Sequence, residues 1–361
     1  MNILFISKLT GNMWAGLNHS VPAQIRSLSA IDNCFWYNMN NIKLDEWQRY
    51  GLDCKNIDDY PSGRLKDLPS PFDNPDLAVF ESCYCYTFDK IIVDLKKKNI
   101  PYVIIPRSSL TQKAQDKKKF KKMLGNILFY NSFIKRASAI HYLSEDEKKD
   151  SKSFSMVNSL VIPNGTHPVK KRKTKFNENK IVATYIGRIE IYQKGLDLLV
   201  KAVSECQDLL RSVNFVLNIY GPNRDGAYEI LSEMINEEGV EDLISLKTAV
   251  FGEDKENVLL STDVFIMTSR FEGLPMGLIE ALSYGIPCII TQGTNMSLTV
   301  QQNDAGWICK NEIDSIRDSL IEMIRYKELL NKKGGNASLL GEKYNWDSIA
   351  KVTHNEYKKL I

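Results

Sequence analysis

The sequence is poor in the residues that metal and redox chemistry use. Four histidines stand in 361 residues, and none is spaced with cysteine as a zinc site needs. The seven cysteines (Cys34, Cys54, Cys83, Cys85, Cys206, Cys288, Cys309) include no Cys-x-x-Cys pair. Their odd number and apolar settings such as Pro287-Cys288-Ile289-Ile290 fit reduced, buried thiols in a cytoplasmic protein. Mean hydropathy is negative, and no run approaches the roughly 20 apolar residues that span a bilayer. Met1-Asn2-Ile3-Leu4-Phe5-Ile6 is apolar but lacks a basic leader and a small-residue cleavage site, so it reads as a first buried strand rather than a signal peptide. Short repeats and low-complexity tracts are absent from the sequence. No nucleic-acid recognition motif or interleaved aromatic platform accompanies the lysines, so nucleic acid is not an expected partner.

What is present describes a two-domain α/β protein. A chain of 361 residues with 43% apolar and 25% charged residues predicts two cores of roughly 150 residues each. Apolar runs alternate with helical periodicities, the signature of parallel strands with crossover helices. In the first half the strands read as Asn2–Ser7, Leu77–Phe80, Tyr102–Pro106 and Ala139–Tyr142, with helices over Val21–Ile31 and Phe120–Ala137. A further strand stops at the turn tripeptide Pro163-Asn164-Gly165, and the basic stretch to about Lys180 reads as a linker. The alternation then restarts. Strands are expected at Ile181–Ile186, Phe215–Tyr220, Leu243–Leu246, Val264–Thr268 and Pro287–Thr291. Helices are expected at Gly195–Cys206, Tyr228–Glu238, Asp314–Lys327 and Trp346–Leu360. Two doubly wound domains in tandem imply ligand binding at the carboxyl ends of their strands, in a cleft between them.

The net charge of +3 hides two basic clusters. KAQDKKKFKK carries Lys113, Lys117, Lys118, Lys119, Lys121 and Lys122 beside a single aspartate, and Lys170-Lys171-Arg172-Lys173-Thr174-Lys175 follows the turn tripeptide. Each is either a solvated face or linker, or an attractor for a polyanion: an acidic membrane leaflet, where each basic residue adds about 1 kcal/mol, or a charged acceptor.

The most informative stretch is Ser269-Arg270-Phe271-Glu272-Gly273-Leu274-Pro275-Met276-Gly277-Leu278-Ile279-Glu280-Ala281. It reads as strand end, glycine-rich turn and helix, with Pro275 suited to a first helical turn. Glu272 before the turn and Glu280 one to two turns inside can point into one crevice. The amides of the helix start favour an anion between them. The segment suits a polyhydroxylated phosphate ester.

With these landmarks the chain resembles the GT-B glycosyltransferases, and within them the large retaining family GT4 (glycosyltransferase group 1). Five pieces carry the resemblance in order. They are Gly187-Arg188-Ile189-Glu190-Ile191-Tyr192-Gln193-Lys194-Gly195, Ile219-Tyr220-Gly221, Val250-Phe251-Gly252, Glu272 through Glu280 as an E-x7-E element, and Ala281-Leu282-Ser283-Tyr284-Gly285-Ile286-Pro287. The resemblance implies two Rossmann-like domains facing across a cleft. An acceptor-side domain, 1–166, is completed by a C-terminal helix, 346–361, that crosses back, and 167–345 binds the nucleotide-sugar donor.

It also implies roles. Arg188 and Lys194 would meet the charge that grows on the leaving diphosphate, in place of a divalent metal; no convincing Asp-x-Asp follows an apolar strand. Glu272 would contact sugar hydroxyls and orient the anomeric carbon, and Glu280 would accept from the ribose hydroxyls. The backbone of Gly187, Gly221, Gly273, Leu274, Pro275, Met276 and Gly277 would lie against the donor. The plainer alternatives are that Arg188 and Lys194 are surface residues, and that Glu272 only caps the following helix. The family's glycine-rich loop after the first strand maps to Thr10-Gly11-Asn12-Met13-Trp14-Ala15-Gly16, with Ala15-Gly16 in place of a glycine pair and Gly16 expected to approach the ligand. Many relatives place a histidine where this chain has Arg107, at the end of Ile104-Ile105-Pro106. Arginine cannot serve as a general base at neutral pH. It either contacts a sugar hydroxyl, the diphosphate or an anionic acceptor, or forms an internal salt bridge. His141 reads as a satisfied buried histidine.

The expected function is a retaining, metal-independent hexosyltransferase needing no resident cofactor. Its donor would be UDP- or GDP-linked, and its acceptor a saccharide or lipid-linked saccharide of a surface polysaccharide. It would work in the cytoplasm or at the inner membrane face, held there by the Lys113–Lys122 cluster. A nucleotide-sugar epimerase on the same fold, and an inactive carbohydrate- or membrane-binding module, are the alternatives.

Overall fold

Mainly apolar runs build most of the strands. A computed structural model describes residues 1–361 except 12–15, 46, 48–50, 52, 85–87, 112–129, 152–155, 178 and 224–225. The chain divides into two compact units, Met1–Gly165 with Trp346–Ile361, and Thr166–Asn345. The Phe120–Ala137 expectation lies mostly outside the described residues, as does the whole Lys113–Lys122 cluster; the described part is a short helix, Asn131–Lys135.

The first unit holds strands β1 (Asn2–Ser7), β2 (Asn33–Asn38), β3 (Cys54–Asn56), β4 (Leu77–Phe80), β5 (Tyr102–Ile104), β6 (Ala139–Tyr142) and β7 (Ser159–Val161), in the order β3-β2-β1-β4-β5-β6-β7. All neighbouring pairs are parallel. Both faces are covered, which is why the strands are apolar on both sides. Leu4, Ile6, Ala78, Phe80 and Ile104 meet Phe88, Ile91 and Leu95 on one face. On the other, Ile3, Phe5, Leu77 and Val79 meet Val21, Ile25 and Leu28 of the Leu17–Ser29 helix and Ala350 and Tyr357 of the Trp346–Lys358 helix.

The second unit repeats the scheme with β8 (Ile181–Ile186), β9 (Phe215–Tyr220), β10 (Ile244–Lys247), β11 (Val264–Met267), β12 (Cys288–Thr291) and β13 (Gly306–Cys309), all parallel, in the order β10-β9-β8-β11-β12-β13. Strand order reverses between β8 and β11. That is the topological switch point, where the two adjacent loops diverge and open a crevice. On one face of this sheet Phe265, Met267 and Ile290 pack on Leu278, Ile279 and Leu282 of the Met276–Ser283 helix.

Three strands are hidden in the sequence. In β2 the flanking Asn33 and Asn38 mask the run; Asn38 is fully buried, and its Oδ1 accepts from the Ser7 hydroxyl (3.1 Å) and the Leu9 amide (2.8 Å). β3 is three residues long. β13 starts at Gly306, where a Cβ would lie 2.1 Å from the Cys288 carbonyl oxygen, so close strand approach requires the residue that hides the strand. Among the described residues the cysteines form no disulfide, and no helix is long and apolar enough to cross a membrane.

His141 ties the C-terminal helix to the first sheet. It is fully buried, with Nδ1 2.8 Å from the Tyr357 hydroxyl and Nε2 2.8 Å from the Ile162 carbonyl. Burial lowers its pKa from 6.5 to about 4, with the Arg107 charge adding to the effect. Its contribution to stability is therefore complete above the unfolded value and is lost as pH falls toward 4. The loss amounts to about 3 kcal/mol at most. Urea unfolding of wild type should show this decline between pH 6.5 and 4, and His141→Gln should flatten it.

Candidate active site

Two loops leave the switch point of the second unit side by side. After β8 comes Gly187–Gly195, including a single helical turn, Ile191–Lys194. After β11 comes Thr268–Pro275, leading into the Met276–Ser283 helix. Gly195 has φ +62°, and a Cβ there would sit 2.1 Å from the Thr268 carbonyl oxygen, so only glycine lets the loops touch. The Thr268 hydroxyl hydrogen-bonds at the Lys194 and Gly195 carbonyls (3.2 and 3.0 Å). The Arg270 amide donates to the Gln193 carbonyl at 2.8 Å. Behind them, the Gly187 amide donates to Tyr220 O (3.0 Å) and the Gly221 amide to Lys247 O (3.3 Å), which brings the end of β9 alongside.

This lacing places four charged side chains. Lys194 is only 8% exposed, and its Nζ pairs with Glu272 Oε1. The same oxygen accepts from the Ser269 hydroxyl at 2.7 Å. Asn295 Nδ2 donates to the Glu272 carbonyl and anchors the turn. Arg188 is exposed and weakly placed, with Nη1 3.7 Å from Glu190, so its fork is available to an anion. Beneath the loop, burial and the Glu272 charge push the Tyr185 phenol well above its ordinary pKa, so it stays a donor, and its hydroxyl holds the Arg188 carbonyl at 2.9 Å.

Within Leu278–Ser283 only Glu280 is not buried. Its carboxylate pairs with Lys255 Nζ of the Gly252–Ser261 helix. Beside this pair a cavity of about 240 Å³ is lined by Thr166, Glu256, Ser283 and Tyr284. Pro275 is not in the first helical turn but caps it: the helix begins at Met276, and the Pro275 carbonyl accepts from Leu278 (3.0 Å) and Ile279 (3.1 Å). Among the described residues no hydrogen bond from the amides of Met276 and Gly277 to a protein acceptor is seen, as the first turn of a helix leaves its N–H groups without intrahelical partners.

In the first unit, Gly16 is exposed at the start of the Leu17–Ser29 helix, and a Cβ there would meet nothing within 4 Å. The protein itself does not demand glycine at this position; residues 12–15 lie outside the described set. Arg107 is the internally salt-bridged arginine. Its side chain is 7% exposed; Nε and Nη2 both donate to Glu81 Oε2 (2.9 and 2.7 Å). Nη1 donates to Ser20 Oγ (3.1 Å) and Asn164 Oδ1 (3.3 Å), and Nη2 also to Gln24 Oε1 (3.0 Å). The guanidinium is fully engaged within its own unit. Of the two readings of Arg107, the internal salt bridge is the one this structure displays, with all five guanidinium N–H groups engaged. Arg107 and Ser108 both have positive φ (+49° and +66°), a strain held by this network and by the Glu147 carboxylate on the Ser108 amide.

Residues 167–339 match the family described as glycosyl transferases group 1. The second unit, which this match spans almost end to end, belongs to that family. A human relative, one of the subunits of phosphatidylinositol N-acetylglucosaminyltransferase, is 24% identical over 207 residues, covering 55% of this chain and 41% of the relative. The Escherichia coli UDP-Gal:alpha-D-GlcNAc-diphosphoundecaprenol alpha-1,3-galactosyltransferase is 34% identical over 77 residues, 21% of this chain and 20% of that one. The chain spans about half the length, or less, of the curated relatives it matches. Among solved structures, Anabaena HepE in complex with UDP and glucose superposes with TM-score 0.74 at 14% identity, covering 99% of this chain and 100% of that one. The fold is that of the GT-B glycosyltransferases.

The second unit carries Arg188, Lys194, Glu272 and Glu280 together with the glycine-rich turn, and pairs Lys194 with Glu272. Gly16 and Arg107 belong to the first unit. Lys255 escapes a reading of the sequence. It lies three residues past the matched Val250-Phe251-Gly252 piece, and only the tertiary contact with Glu280 marks it.

Proposed function

We propose that the protein is a retaining, metal-independent glycosyltransferase that moves a hexose from a UDP- or GDP-linked donor to a saccharide or lipid-linked saccharide acceptor in surface polysaccharide synthesis. One observation carries the reading. Both cations and both glutamates of the family motifs stand on two interlocked loops, and the helix that follows one of them, at the switch point of the second unit.

The roles follow from charge. As the glycosidic bond breaks, negative charge develops on the β-phosphate. Arg188 and Lys194 lower its energy as fixed cations, the function a divalent metal serves elsewhere. Lys194 arrives already paired with Glu272, so the pair keeps the ammonium in place before the donor binds. Glu272 and the Gly273–Gly277 backbone orient the sugar. Glu280 accepts from the ribose hydroxyls, with Lys255 holding its carboxylate. Front-face displacement lets the leaving phosphate oxygen take the acceptor proton, so no protein base is required. The engagement of Arg107 is compatible with that scheme. The human and Escherichia coli relatives are named for a phosphatidylinositol and a diphosphoundecaprenol acceptor, which supports a lipid-linked acceptor here. The Lys113–Lys122 cluster would hold the protein to an anionic leaflet.

The test is incubation with a panel of UDP- and GDP-sugars in EDTA, with the anomer of released or transferred sugar read by NMR. Turnover of one donor with retained configuration is the expected outcome. Turnover that appears only with a divalent metal, or an inverted product, would overturn the mechanism. A donor converted without any acceptor to an epimeric nucleotide sugar would mark an epimerase.

A further inference from the structure

A single arginine joins the two donor loops. Arg270 stands two residues before Glu272, yet its guanidinium reaches back across to the other loop. Nη1 and Nη2 donate to Asp197 Oδ1 and Oδ2, both at 2.7 Å, as a planar fork. Nη1 also donates to the Tyr192 carbonyl at 2.8 Å, and Cζ lies 4.5 Å from the centre of the Tyr192 ring. The Arg270 amide holds the Gln193 carbonyl. Lys194 is therefore bracketed. Residues 192 and 193 on one side and 197 on the other are fastened to Arg270, and the Lys194 ammonium is fastened to Glu272 two residues further along.

An ordinary exposed ion pair is worth at most about 1 kcal/mol, so this one is weak as a stabiliser of the fold. Its geometry is what stands out. Arg270 and Asp197 are 19% and 28% exposed, the fork is doubly seated, and it closes a ring of contacts around the cation of the site. We propose that Arg270, with Asp197, is a positioning residue that fixes Lys194 against Glu272 at the spacing the donor diphosphate requires. This rests on the donor-site reading given above. A cation displaced by an ångström still binds an anion but no longer meets the charge formed in the transition state. The effect should fall on kcat.

The experiment uses the full chain and whichever nucleotide sugar the donor panel shows to be turned over. Arg270→Ala should lower kcat roughly 10–100-fold and leave the donor KM within about 3-fold. Arg270→Lys keeps the charge but loses the fork, and should not rescue turnover. Asp197→Asn, which preserves shape, should reproduce the loss and serves if Arg270→Ala folds poorly. In a Lys194→Ala background, Arg270→Ala should cost less than about 3-fold, because the cation it positions is gone. The same cost in both backgrounds, or a variant with lowered Tm and unchanged kcat, would overturn the inference while leaving the donor site intact. Wild type inert with every donor would overturn the donor reading and this inference together.

Discussion

Lys194→Ala is expected to lower turnover by about 10²–10³-fold, the usual cost of removing one preorganised charge from a transition state. The residue is the buried member of the cation pair, at 8% exposure, and among the described residues its ammonium has one acidic partner, Glu272. Removal leaves the Glu272 carboxylate with the Ser269 hydroxyl as its remaining side-chain donor. Some stability should go with it, because a buried carboxylate has lost its counter-charge. The two effects separate in a second variant. Lys194→Met with Glu272→Gln removes both charges and should melt near wild type while remaining inactive. Steady-state kinetics and thermal melts on the two variants decide the matter. A Lys194→Ala enzyme with near-normal kcat would contradict the assigned role.

Arg107→Met is expected to cost about 3–5 kcal/mol of stability at neutral pH, the range for breaking a buried ion pair on one side. Glu81 is left 1% exposed without its partner. Burial already raises the Glu81 carboxyl, opposed by the Arg107 charge; without that charge it rises further. A carboxyl whose folded pKa lies above the unfolded value stabilises fully below the unfolded pKa and loses that contribution as pH rises through the folded one. The difference between variant and wild type should therefore shrink as pH falls to the unfolded glutamate value of about 4.5 and widen as pH rises above it. Adding Glu81→Gln should recover much of the loss. Urea unfolding at several pH values measures both. A pH-independent difference would mean that the Glu81 charge is not what the arginine compensates.

These two residues mark the boundary of what a sequence can tell. β1, β4, β6, β8 and β9 are legible to the residue because each is mainly apolar and polar or turn residues mark its ends. The polar ends of β2, the brevity of β3 and the opening glycine of β13 hide the other three. Arg188, Lys194, Glu272 and Glu280 stand out in the sequence as candidates because the glycine-bearing loops after β8 and β11 and the helix after the second loop carry them. What the sequence does not carry is pairing between distant segments. The Lys255 contact with Glu280, the Arg270 fork on Asp197 and the partners of Arg107 on separate segments appear only once the sheets are assembled. Arg107 illustrates the point best. The sequence leaves it open between a ligand contact and an internal salt bridge, and only the assembled unit shows the guanidinium engaged with Glu81, Ser20, Gln24 and Asn164.

The mechanism stands on one claim: the switch-point loops of the second unit form a nucleoside-diphosphate site built from protein charges alone. Calorimetric titration of UDP and of GDP in EDTA addresses it most directly, on wild type, Lys194→Ala and Glu280→Ala. One-to-one saturable binding of at least one of the two nucleotides is expected, weakened about 10-fold or more by each substitution. Absence of saturable binding, or binding that neither substitution changes, would contradict it.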